Sequence, residues 1–243
     1  MAETWTYYDL RDAFAEEGCP VCRLTLASVD RYFDGLNYEA AGDPGVRAKL
    51  RDSLGFCNEH AYRWLHVANV LATAQIYRDI LSHLVAEIGD LRAPRRGLFT
   101  GVAARLPLAG PEGRDSGGAA MLAPSERCPA CVVLDRTETM AVETLVRAIP
   151  EPGFAAAYRA SAGLCLSHLR LALATARDQA AFDVLRDAAV GGWKAILDHL
   201  DEIIRRHDYR YTGEPAGDER GAAERALRQT VGTRGIRGRQ GPP

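Results

Sequence analysis

Apolar residues recur at helical spacing along most of the chain, and no stretch alternates as a strand would, so the pattern predicts helices separated by short breaks. Tyr7, Tyr8, Leu10 and Phe14 define a first helix that Gly18 stops just before Cys19. Leu24, Leu26, Ala27, Tyr32, Phe33 and Leu36 mark a second, running to the loop around Gly42-Asp43-Pro44-Gly45. Pro44 suits the start of a third, in which Val46, Leu50 and Leu54 share a face before Gly55. From Phe56 to Ile88 the apolar pattern is too long for one helix, and Asn69 or Thr73 would cap a second segment, so a break is expected there.

The plan then repeats. Val132, Val133, Leu134, Met140, Leu145, Val146 and Ile149 form one periodic run, and Pro150-Glu151-Pro152-Gly153 breaks it before Phe154 to Ala162. Cys19 and Cys128, like Cys22 and Cys131, stand 109 positions apart, while Cys57 and Cys165, like His60 and His168, stand 108 apart. Arg51-x-Ser53-x-Gly55-Phe56-Cys57-x-x-His60 matches Arg159-x-Ser161-x-Gly163-Leu164-Cys165-x-x-His168, and Ile80-Leu81-Ser82-His83-Leu84 echoes Ile196-Leu197-Asp198-His199-Leu200. This is an internal duplication. Residues 92–125, rich in proline and glycine, read as a linker between the copies. The expected fold is all-α, with two pseudo-symmetric helical lobes over 1–91 and 126–208. A C-terminal extension follows over 209–243, holding a short helix from Asp218 to Val231 and a disordered end.

Composition narrows the partners. The 243 residues carry a formal net charge of −2, which gives no global reason to expect nucleic acid or an anionic membrane. The first ten residues lack the features of a secretory signal, and no run approaches the roughly 18 apolar residues of a membrane span, so a cytoplasmic address is expected. In a reducing compartment, six cysteines are more readily explained by metal than by disulfides.

All six cysteines fall in two quartets, Cys19, Cys22, Cys57 and His60, then Cys128, Cys131, Cys165 and His168. Each offers three thiolates and one imidazole, and each is expected to form one Cys3His site within its own lobe. Two residues between thiols let both sulfurs face one point, and Pro20 and Pro129 stiffen that turn. In Cys-x-x-His the donors share one face of a helix's first turn, where the free amides favour a thiolate. Zinc, four-coordinate in structural sites, fits this donor set best. An iron–sulfur cluster is the alternative, although such clusters usually take four cysteines.

Closed sites leave no vertex for water or substrate, which argues against metal-assisted hydrolysis. No nucleotide fingerprint, phosphate-cradling loop or hydrolase elbow accompanies them. Ser53 and Ser161 read as local backbone-bonding groups, and His83 and His199 as packing or capping residues. Arg23, Arg127 and Arg170, close to ligands, are candidates for neutralising a thiolate site, with solvated surface arginine as the plainer reading of each. The resulting expectation is a non-catalytic binding or scaffold module with an unidentified protein partner. The rival is a redox or iron–sulfur sensor using the Cys-Pro-x-Cys thiols. Nucleic-acid binding through the arginine-rich linker and tail is a third, disfavoured by the acidic balance.

The set of Cys-Pro-x-Cys, Arg-x-Ser-x-Gly-Phe/Leu-Cys-x-x-His, Tyr77-Arg78-Asp79-Ile80-Leu81 and His207-Asp208-Tyr209-Arg210-Tyr211 resembles an uncharacterised family of bacterial proteins defined as a domain of unknown function. The likeness covers most of residues 15–232 outside the linker. It implies a duplicated, helical, metal-binding protein and adds no mechanism.

Overall fold

The structure is a computed structural model describing residues 5–40, 42–91, 122–211, 215 and 217–235. Among these, all regular structure is helical. In chain order the helices are α1 (Trp5–Phe14), α2 (Pro20–Gly35, continued by a π-helical turn over Leu36–Ala40), α3 (Pro44–Asp52), α4 (Asn58–Val67) and α5 (Val70–Asp90). The second half supplies α6 (Pro129–Ala148), α7 (Pro152–Ala160), α8 (Leu166–Thr175), α9 (Gln179–Arg206) and α10 (Ala222–Val231). The order α2 to α5 thus recurs as α6 to α9. The expected break in the long first-half stretch lies at Ala68 and Asn69, where the Asn69 side chain accepts from the Ala72 amide at 2.7 Å and caps α5. Asp43 caps α3 in the same way, with Pro44 at its first position.

The compact units differ from the expected lobes. One unit joins Met1–Arg31 to Val133–Pro243, and the other is Tyr32–Val132. The boundaries fall inside α2 and α6, so each unit draws on both copies of the repeat. Most of the expected 92–125 linker and the end of the tail lie outside the described residues. Its last residues are tied down, since the Ser125 and Glu126 amides donate to the Asp52 carbonyl at 2.8 and 3.1 Å.

In the first unit, α1 lays Tyr7, Leu10 and Phe14 against Phe154 and Tyr158 of α7. The ring centroids of Phe14 and Phe154 are 5.1 Å apart, edge to face, a favoured aromatic geometry. Leu145, Ile149, Leu164, Leu169 and Leu185 complete this core. The C-terminal helix α10 packs on α8 and α9. Gln229 fastens it there, accepting from the Trp193 indole at 3.3 Å and donating to the Ala162 carbonyl at 2.6 Å. His199 contributes through Arg225, whose guanidinium approaches its Nδ1 at 3.1 Å. Its repeat counterpart His83 is exposed.

In the second unit, α3 packs on α5, and Asp79 of α5 faces Arg47 and Arg51 of α3 at 3.4 and 3.7 Å. The fully buried Trp64 of α4 packs against Phe33 and Phe56, with centroids 5.6 and 5.8 Å away. That aromatic group stands one helical turn from His60.

Candidate metal centres

Every ligand pair occupies the same place on a helix. Cys57 and Cys165 are the N-caps of α4 and α8, and His60 and His168 are the third residues of those helices. The Cys-x-x-Cys pairs follow the same rule, because the Cys19 and Cys128 carbonyls accept the first helical hydrogen bonds, from Arg23 and Val132, each at 3.1 Å. Pro20 and Pro129 therefore occupy the first helical position, where a missing N–H costs nothing and the fixed φ is already helical. Cap and third residue face the same point beyond the helix end, so each helix contributes two donors and its cluster of free amides.

The approach to each Cys-x-x-His pair is also shared. Gly55 and Gly163 hold positive φ, at 86° and 74°, turning the chain from α3 or α7 into the ligand loop. Ser53 and Ser161 bond locally, as expected: Ser161 Oγ donates to the Tyr158 carbonyl at 2.7 Å and accepts from the Gly163 amide at 3.1 Å. A Cβ on Gly55 would lie 3.2 Å from Ile80 Cδ1, whereas one on Gly163 would meet open space. Both alanine substitutions are expected to cost about 1–2 kcal/mol for the left-handed backbone. Gly55→Ala is expected to cost more because Ile80 must give way, a difference to be read from urea midpoints.

The partners of these pairs are not those expected from chain order. Cys19 and Cys22 meet Cys165 and His168, while Cys57 and His60 meet Cys128 and Cys131. The structure therefore assembles all eight predicted ligands but exchanges the pairs between the two copies. The reason lies in α2 and α6, which cross the unit boundaries: each starts at a Cys-x-x-Cys in one unit and carries the chain into the other, where the next Cys-x-x-His lies. Neither copy brings its own Cys-x-x-His back to its own Cys-x-x-Cys.

Within each centre the donor atoms all lie within 4.8 Å of one another. In the first, Nδ1 of His168 is 3.3, 3.4 and 3.3 Å from the sulfurs of Cys19, Cys22 and Cys165, and Cys22 and Cys165 are 3.7 Å apart. In the second, Nδ1 of His60 is 3.3, 3.6 and 3.3 Å from Cys57, Cys128 and Cys131, and Cys57 and Cys131 are 3.6 Å apart. An ion bonded at about 2.3 Å to sulfur and about 2.0 Å to nitrogen sets tetrahedral edges of about 3.8 Å between sulfurs and about 3.5 Å between sulfur and nitrogen. Both quartets fit such an ion, and the sulfurs are well beyond disulfide bonding distance; all six cysteines are free.

Three thiolates around a dication leave a net charge of −1. Two helix N-termini point at each centre, each equivalent to about half a positive charge, and together they offset it. Arg23, a candidate for neutralising the site, donates to the Glu17 carbonyl at 2.8 Å and faces Glu16, and both it and Arg170 are exposed, in line with the plainer reading as surface arginines.

The first centre has a further partner that sequence reasoning missed. Nε2 of His168 lies 3.0 Å from a carboxylate oxygen of Glu138, and both side chains are buried. A carboxylate there fixes the ring so that Nδ1 faces the sulfurs. The position matched to Glu138 in the first copy is Val29, so the repeat gave no signal for it; a lone glutamate among the apolar positions of α6 was the trace available. Burial lowers the proton affinity of His168, but hydrogen bonds with Cys165, Cys22 and Glu138 outweigh it and hold its pKa at about 11. Burial pushes the Cys19 thiol up, while hydrogen bonds from Cys19 and Cys22 hold Cys165 well below the usual thiol range. A cation entering this centre must displace the remaining protons, so uptake releases acid. Glu138→Ala is expected to weaken ion binding about 10–100-fold at this centre and not at the other, as measured by chelator competition.

The fold and these quartets define an all-helical protein with two Cys3His-type clusters able to bind metal ions, each built from two helix N-termini. The chain belongs to the family of unknown function DUF6062, whose model matches residues 1–235. A 68-residue stretch, 28% of the chain, is 38% identical to an uncharacterized 23.9 kDa protein in the xynA 3′ region of Caldicellulosiruptor sp. (strain Rt8B.4). The match spans about a third of that relative, 33% of its length. No solved structure matches the chain.

Proposed function

We propose that this is a zinc-binding helical protein in which two structural Cys3His zinc ions join segments far apart in sequence, serving as a cytoplasmic, non-catalytic binding or scaffold module. The observation that carries the reading is the agreement of both donor sets with the edges of one tetrahedron. Donor atoms this close suit a single ion and leave no room for the bridging sulfides of a multi-iron cluster, which supports zinc over the iron–sulfur alternative. Four protein donors close the coordination shell, which supports a structural over a catalytic ion. Among the described residues no helix is long and apolar enough to cross a membrane. Elemental analysis of protein purified without added metal tests the reading. About two zinc per chain in a colourless preparation is expected, whereas a brown preparation containing iron, or fully titrating thiols without zinc, would overturn it.

A further inference from the structure

We propose that the second centre is a modification site, at which hydroperoxides oxidise two of the thiolates of Cys57, Cys128 and Cys131 to a disulfide and release the ion, while the first centre keeps its ion. This rests on the zinc reading above and assigns different chemistry to the two sites. The donor sets are alike, but their surroundings are not. In the first centre all four ligands are buried, with Cys22, Cys165 and His168 at 0% exposure and Cys19 at 4%, and buried Glu138 braces the imidazole. In the second, His60 and Cys131 are buried but Cys57 and Cys128 are only partly buried. Oxidation follows thiolate character and access. Both centres supply thiolates; the second also leaves two of its cysteines partly accessible.

The step balances with hydrogen peroxide as oxidant. The Cys57 thiolate attacks one peroxide oxygen, the O–O bond breaks, and a sulfenic acid and hydroxide result. The Cys131 thiolate, 3.6 Å from the Cys57 sulfur, then displaces hydroxide to form the disulfide. Two electrons pass from sulfur to peroxide, two thiolates become one disulfide, and the dication loses two of its four ligands.

The test adds hydrogen peroxide to the full chain carrying two zinc, follows released zinc with a chromogenic chelator, counts thiols after denaturation and maps disulfides by peptide mass spectrometry. The expected result is loss of one zinc and two thiols per chain, with the first bond joining two of Cys57, Cys128 and Cys131, and recovery of the second zinc on reduction with added metal. Release of both ions together, release of neither, or a first bond drawing on Cys19, Cys22 or Cys165 would overturn the proposal. The zinc content before peroxide is added judges the underlying reading separately. A chain lacking two zinc defeats both, whereas a chain with two that leave together defeats only this one.

Discussion

The double variant Cys19→Ser/Cys165→Ser is expected to retain one zinc per chain, and Cys19→Ser/Cys57→Ser none. Cys19 and Cys165 serve the same centre, so the second substitution removes a ligand from a site already lost, whereas Cys19 and Cys57 serve different centres. Pairing within each copy of the repeat predicts the reverse, one zinc for Cys19→Ser/Cys57→Ser and none for Cys19→Ser/Cys165→Ser. Zinc content by elemental analysis decides between them. The same partition should appear in stability. Effects of residues that act as a unit are not additive, so the first double variant should melt near its single variants and the second well below either. The losses are large because metal binding is folding energy, about 10–16 kcal/mol in small zinc domains, against about 5–15 kcal/mol for the whole stability of an ordinary domain.

Trp64→Ala is expected to cost about 3–5 kcal/mol, the range for truncating a large buried aromatic side chain. Trp64 is fully buried and packs against both Phe33 and Phe56, one turn along α4 from His60. The cavity left behind would loosen the helix whose N-terminus presents Cys57 and His60. Zinc at the second centre should therefore become easier to extract, with the first centre unchanged. Trp64→Phe separates packing from hydrogen bonding. Among the described residues the buried indole N–H has no partner, so phenylalanine keeps most of the apolar contact and removes an unsatisfied donor. Its cost is expected to be less than half that of alanine, measured by urea unfolding. Equal costs for the two variants would show that the indole contributes by something other than packed area.

Much of this molecule is local and was legible as such. Helix periodicity, the Asn69 break, the Pro44 start and the backbone-bonding serines depend on residues within a few positions of one another, and each appears as expected. The eight candidate donors stand out for the same reason, since a cap and a third helical residue form one local device that the duplication displays twice over in each copy. Even the proline after each first cysteine marks a helix start and could have been read so.

What the sequence could not supply was which devices meet. Chain order offers Cys57 and His60 as the nearer partners of Cys19 and Cys22, and duplicated motifs make both pairings chemically equivalent. Only the tertiary structure distinguishes them, because the long α2 and α6 each carry the chain from one compact unit into the other before the next Cys-x-x-His. The same exchange places the unit boundaries inside α2 and α6 rather than in the linker. Glu138 belongs to this second category too. Its carboxylate acquires its role only when α6 and α8 bring it to Nε2 of His168, thirty positions away. The sequence by itself determined the helices, the donors and their local geometry, while the partition of the donors into two centres, and their unequal burial, came from packing between distant segments.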